Sequence, residues 1–394
     1  MAPDAATPRR YGNLVAAIAT VACCDIAMGL TFQLLPLLME RDGVPAWIIG
    51  VNAAMGPIGI LIAGPMLPHV VGHFGSRRVA ICVIVVLIAA LLAFRLAPSI
   101  WLWFPIRFIF GVAAGTLFTI SEAWVLTFAG DGDRGRIMGL YVSVLAVTFS
   151  IGPLILPITG IDGWAPWLLG IACMLASVLP LAFVKVSDDA FREEQKGGFF
   201  RFIARAPLLL FAVGAATLFD SVFISFFTIF GLRHGLELET ASRILGIGII
   251  GNALLFYPMG LLADRWSRNG VVTITAGLTI VLSLSLIPLI NSWAIWPVTI
   301  LLSASAFGVY VVALAVMGDS FKGPDVLAGS AAFAAMWGVG GLFGPPIAGG
   351  AIDLFGINAL PVTLAVFYAI LLVGLAANGG RLVRGVAADS RTTT

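Results

Sequence analysis

Only a handful of ionisable residues interrupt the long apolar runs of this chain. They are Asp25, Arg107, Glu122 and Asp220. A carboxyl group in such surroundings can exchange a proton, pair with a guanidinium, or recognise a cation or hydroxyl on a ligand. For Asp25 two roles stand side by side: proton exchange tuned by Arg107, or a fixed ion pair with Arg107 that ties two helices together. Asp220 is a second proton site, a recognition group, or a carboxyl satisfied by neighbouring Ser221, Thr217 or backbone. Glu122 is read as a gate or proton exit, or as an interfacial carboxylate that reaches water. No nucleophile and base accompany them: the chain has no G-x-S-x-G, no H-E-x-x-H and no histidine in the middle of a long apolar run. His69, His73 and His234 lack a partner at metal-ligand spacing, and Cys23, Cys24, Cys82 and Cys173 form no C-x-x-C. Neither an enzyme nor a metal or other cofactor is expected, and no phosphate-binding glycine loop suggests nucleotide drive.

The elements that hold these groups follow from composition. Of 394 residues 60% are hydrophobic and 11% charged, and the mean hydropathy is +1.05. A soluble surface cannot be built from so few polar groups. A bilayer core about 30 Å thick takes about 20 helical residues, and apolar stretches of that length recur twelve times: 13–39, 46–71, 78–97, 99–129, 135–160, 164–184, 207–232, 241–263, 270–290, 293–319, 325–352 and 357–378. The first run is too long for a cleaved signal and reads as an uncleaved start-transfer helix. The expected fold is an all-α membrane protein of twelve transmembrane helices. Its domains are an N-terminal bundle 1–190, a cytoplasmic linker 191–206 and a C-terminal bundle 207–394. Seventeen of the 22 Lys and Arg residues fall on one side of this arrangement, four on the other, and Arg107 within a span. By the positive-inside rule both termini are cytoplasmic. The net charge of +2 offers no field for nucleic acid.

Landmarks in the two halves recur at a nearly constant offset. Gly152-Pro153 and Gly344-Pro345 are 192 residues apart, as are Gly72 and Asp264, and Asp133 and Asp325; Asp25 and Asp220 are 195 apart. Two six-span units of like orientation form a parallel repeat, which places a binding site at the midplane between them. Asp25, 12 residues into its span and so about 18 Å deep, lies near that plane, and Asp220 matches it.

Three motifs carry a family resemblance. Gly260-Leu261-Leu262-Ala263-Asp264-Arg265, followed by Arg268, resembles the loop motif G-x-L-A-D-R-x-x-R of the major facilitator superfamily. The matching stretch Pro68 to Arg78 keeps Gly75, Arg77 and Arg78 but has Gly72 in place of the motif's Asp. Arg107 to Gly111, continuing to Gly115, is similar to the span-four motif R-x-x-x-G of drug/proton antiporter branches, while Leu156-Pro157 departs from their span-five motif. The resemblance implies two pseudo-symmetric six-helix bundles around a central cavity and rocker-switch alternating access. It points to a proton-coupled exporter of a small amphipathic or drug-like compound, or alternatively a proton symporter importing a sugar, organic acid or other nutrient. The partners implied are that small molecule, protons and the lipid bilayer; a monomer in the bacterial inner membrane is expected. Asp25, Arg107, Glu122 and Asp220 are the proton-coupling candidates. Asp25, Arg107, Asp220, Phe223, Trp124 and Trp337 are the cavity candidates. A cytoplasmic latch is expected from Asp264, Arg265 and Arg268 against Arg134 and Arg136, with Arg77 and Arg78 in the weaker first copy. Trp47, Trp101, Trp103, Trp164, Trp167, Trp293 and Trp296 read as an interfacial belt.

Overall fold

The computed structural model describes residues 7–129, 134–184, 199–265, 267–321 and 324–383, with side chains left out for 7–10, 134–135, 199–201, 252–264 and 324–328. In lipid an unpaired backbone N–H or C=O costs several kcal/mol, so each spanning segment satisfies itself as a helix. The described chain runs α1 (Thr7–Arg41), α2 (Ala46–Phe74), α3 (Ser76–Leu96), α4 (Trp103–Phe128), α5 (Arg134–Thr159), α6 (Ala165–Phe183), α7 (Phe199–Arg205), α8 (Pro207–Arg233), α9 (Leu238–Arg265), α10 (Arg268–Leu289), α11 (Ile295–Ser320), α12 (Pro324–Phe355) and α13 (Ala359–Ala377). Eleven of these are long and apolar enough to cross a membrane over their described residues. The 28 residues of α9 are also long enough to span. The short α7 lies within the stretch read from sequence as linker, and a single turn of 3₁₀ helix, Ile100–Leu102, precedes α4. Gly75, at φ 81°, lets α2 turn directly into α3.

The packing repeats itself. Within the first six helices α1 packs on α4, α5 and α6, α2 on α4, and α3 on α4 and α6. The last six reproduce each of these pairs: α8 packs on α11, α12 and α13, α9 on α11, and α10 on α11 and α13. The lobes meet along α2 with α12, α5 with α9, and α1 with α8. Repeat-related residues touch across this boundary, as they must on a two-fold axis. Gln33 donates to Thr228, 195 positions later, and Glu40 pairs with Arg233, 193 later.

Glycine makes the boundary tight. On α12 Gly338, Gly341, Pro345 and Gly349 recur at helical spacing and face Leu61, Pro57, Gly50 and Ala46 of α2. A Cβ on Gly50 would fall on the Pro345 carbonyl, and one on Gly349 on that of Ala46. Gly246 of α9 packs against Ser150 and Leu154 of α5, in the helix pair that repeats α2 with α12. Small residues let helix backbones approach, which is how transmembrane helices associate without a hydrophobic drive.

The tryptophan belt is only partly as read. Trp47, Trp101, Trp164 and Trp293 are exposed at the helix ends away from the chain termini, the outer side on the positive-inside reading, but Trp103 and Trp167 are buried against Phe94.

The tight boundary makes a direct test. Gly50→Val or Gly349→Val should hold the outer boundary apart, so that Ser242→Cys, buried in the parent, reacts with a membrane-impermeant maleimide at least about five-fold faster in a cysteine-replaced background. Unchanged labelling would contradict the packing described.

Candidate functional site

The outer half of the boundary is closed by polar contacts. Gln33 of α1 is buried, and its amide nitrogen donates to Thr228 Oγ1 of α8 and Ser242 Oγ of α9, both at 2.8 Å. At the outer helix ends Arg233 grips Glu40 with two bonds, Nε to Oε1 at 2.6 Å and Nη2 to Oε2 at 2.9 Å. Asp353, near the end of α12, accepts from the Ala46 and Trp47 amides at 3.0 and 2.8 Å. A carboxylate here satisfies the orphan N–H groups that begin α2 and sits at the positive end of its dipole. This is an N-cap supplied by the opposite lobe.

These contacts reach down only to Gly338 and Leu61, about 22 Å along α12 from Asp353. Every cross-lobe hydrogen bond and close packing contact given by the described residues lies at that level or outside it. On the side of the chain termini, cytoplasmic by the positive-inside reading, α4 and α11 face each other without described packing and leave a vestibule. Glu122 of α4 is exposed there, and its charge is within electrostatic reach of Tyr141 on α5 and of Tyr310 on α11 in the other lobe. Tyr141 and Ser121 share a 2.7 Å hydrogen bond that clasps α4 to α5. Opposite, Tyr310 packs edge-on to Trp337 at 5.9 Å, with Phe307 and Phe333 behind them. Trp337 is 38% exposed, whereas Phe307 and Phe333 are buried. The vestibule therefore sets a carboxylate on one lobe against an aromatic wall on the other.

Asp25 is not on that surface. It is 2% exposed and turned into the N-terminal lobe, where Thr148 of α5 donates to its Oδ2 at 3.0 Å. The close approach of Gly29 to Phe149 and of Gly152 to Leu30 holds α1 and α5 together around it. Arg107 is not its partner. Asp25 is 16 residues from the outer end of α1, about 24 Å, and Arg107 only four from that of α4, about 6 Å. Arg107 instead donates to Asn52 Oδ1 at 3.1 Å and lies 5.3 Å from the Phe32 ring. The fixed Asp25–Arg107 pair is thus absent from this conformation. Asp220 is half-buried in α8, and no described hydrogen bond reaches its carboxyl: Ser221 donates to Thr217 O and Thr217 to Met336 O. Two cavity candidates are packing residues. Trp124 is fully buried, donating its indole N–H to Ser76 at 3.1 Å, and Phe223 is 2% exposed between Phe219 and Phe227.

Residues 17–318 match the sequence profile of the Major Facilitator Superfamily. The chain belongs to that superfamily. It is a multi-pass membrane transporter and not an enzyme. Among curated relatives it is 23% identical to the MFS-type transporter YcaD of Escherichia coli over 367 residues, covering 92% of this chain and 94% of that one. It is also 23% identical to YfkF of Bacillus subtilis over 265 residues, 64% and 66% of the two chains. Two solved structures share the fold. The nucleoside transporter NupG superposes with a TM-score of 0.75 at 13% identity, covering 94% of this chain and 98% of that one. A bacterial homologue of the human lysosomal transporter Spinster, inward-facing and unoccupied, gives 0.74 at 14%, covering 97% and 99%.

The lobes are shut at the end away from the chain termini; the positive-inside reading makes that end the outer side and the arrangement inward-facing. Two loop-motif arginines have described contacts within their own lobes: Arg77 donates to Ala182 O at 3.0 Å, and Arg268 to Ala315 O at 2.6 Å while pairing with Asp319. Arg78, Arg136 and Arg265 are exposed. The side chains of Asp264 and Arg134 lie outside the described residues, as do Asp131, Asp133 and Asp325. The sequence reading missed Gln33, Glu40, Arg233, Asp353, Tyr141 and Tyr310. The repeat offset held a signal for three of them, because Glu40 and Arg233, and Gln33 and Thr228, stand one repeat apart.

Exposed ion pairs are often worth under about 1 kcal/mol, which still matters for a balance between two conformations. Glu40→Gln should raise amide exchange in residues 37–42 about five-fold. The swap Glu40→Arg with Arg233→Glu should restore protection. If the swapped pair exchanges as fast as the single variant, the contact is not a clamp.

Proposed function

We propose that this transporter is a proton-coupled exporter that loads a small amphipathic compound with a cationic end from the cytoplasm. The observation that carries this reading is Glu122, exposed in the inward-facing vestibule opposite Tyr310 and Trp337. A carboxylate supplies the counter-charge, and aromatic faces supply apolar contact together with a cation–π term of about 1–2 kcal/mol. A compound bridging the two would draw the lobes together on the cytoplasmic side, which is the motion that opens the other end.

Asp25 serves as the proton site. An isolated carboxylate in apolar surroundings is costly, whereas a neutral carboxyl held by one hydroxyl is not. Charge and burial at Asp25 must therefore change together. Along α5, Tyr141 and Thr148 are two turns apart on the face toward α1 and α4, and Tyr141 is within electrostatic reach of both Asp25 and Glu122. This polar track supports proton passage between the vestibule and Asp25. Asp220, at the matching depth in the other lobe, is the second candidate. Arg107 plays no part in the track. The cytoplasmic latch of Asp264 against Arg134 and Arg136 belongs to the outward-open state in this scheme, and the termini face the cytoplasm of a bacterial inner membrane. One proton per cycle is adequate: about 1.4 kcal/mol per pH unit and about 2.3 per 100 mV support accumulation on the order of several hundred-fold.

The test uses proteoliposomes with an imposed pH gradient and tetraphenylphosphonium as probe. Asp25→Asn should abolish gradient-driven accumulation while leaving exchange of bound probe, and Glu122→Gln should weaken probe binding about ten-fold. Undiminished accumulation by Asp25→Asn, or probe moving in the same direction as the proton, would overturn the proposal.

A further inference from the structure

Arg107 carries a charge into the N-terminal lobe that no acidic side chain answers. It is 2% exposed, and among the described residues no ion pair reaches it. Its neighbours are the Asn52 amide oxygen and the face of Phe32. The Asn52 contact engages only Nη1. Arg107 Nη2 is buried and donates to no protein acceptor, and the same is true of the other end of the Asn52 amide, Nδ2. The two unused donors flank the Nη1–Oδ1 bond, so both lie where α2 meets α4. A single orphaned donor is an ordinary packing imperfection. A guanidinium and an amide that both spend one polar atom on each other and keep a second donor idle form a donor-only cradle around uncompensated positive charge.

We propose that the Arg107–Asn52 pair binds a small monovalent anion, either an inorganic ion or a carboxylate group. Two donors and one net positive charge match one negative charge, and the remaining wall, the Phe32 ring, suits a small or flat ion over a bulky hydrated one. The route is from the outside. Arg107 is about 6 Å from the outer end of α4, and Asn52 about 9 Å from that of α2. The pair is buried within the N-terminal lobe in this conformation. It is separate from the vestibule of Glu122 and from Asp25, so it can stand or fall apart from the proton scheme.

The experiment measures thermal unfolding of the purified protein at constant ionic strength, replacing isethionate stepwise by chloride, nitrate, acetate or benzoate. Anion binding should raise Tm saturably, by roughly 2–4 °C at ten-fold excess over Kd. Asn52→Asp builds a carboxylate into the cradle. It should raise Tm in isethionate and erase the response to every added anion, because the charge is already answered. Arg107→Gln should erase the response as well; should that variant fail to fold, Asn52→Asp alone decides. A response confined to chloride and nitrate identifies an inorganic ion, and one at lower concentrations of acetate or benzoate identifies a carboxylate. The proposal is overturned if the parent protein shows no saturable rise, or if Asn52→Asp responds to added anion as the parent does.

Discussion

Two lobes immersed in hydrocarbon gain nothing from burying apolar surface against each other, because the lipid tails they displace are as apolar as they are. Whatever holds them in one arrangement must come from close packing and polar contacts. The outer boundary of this transporter contains both. Glycines bring α2 within backbone contact of α12, and α9 against α5, while Gln33, Glu40, Arg233 and Asp353 supply hydrogen bonds that a lipid cannot replace. No term in this list is large. Each is also local, so it can be lost at one end of the molecule without loss of either lobe's internal core.

From that constraint follows where water reaches. Contacts confined to the outer half leave the cytoplasmic half free to part, and the groups found there are those a ligand can use: Glu122 on one side, Tyr310 and Trp337 on the other. The inward positions of Asp25 and Arg107, each buried within the N-terminal lobe, show the complementary rule. An ionisable group that does not face the vestibule is folded against small polar partners, Thr148 for one and Asn52 for the other.

The sequence was legible where the bilayer imposes a length or a period. Twelve apolar stretches became the twelve long helices, and the 192–195 offset reappears as matched helix pairs in both lobes. Direction was not legible. Trp124 and Phe223 sit on helices whose every face is apolar, so nothing in the pattern separates a face turned to the vestibule from one turned to the lobe interior. Arg107 and Asp25 were brought together by rarity, although counting from the outer helix ends separates them by about 18 Å. Gln33 and Glu40 were passed over as ordinary polar residues. Placing them one repeat before Thr228 and Arg233 identifies them as axis residues, since only near a two-fold axis can repeat-related side chains meet.

The central claim is that the lobes move as bodies about this boundary, so that one end opens as the other closes. Electron–electron spin distances measure it directly, with labels at Asp42 and Glu237 on the outer side and at Arg136 and Arg265 on the cytoplasmic side, in nanodiscs across a pH series. The expected result is a short outer distance paired with a long cytoplasmic one, and a second population in which both are reversed, the two exchanging weight together. Distances that change at one end alone, or at both ends in the same sense, would contradict it.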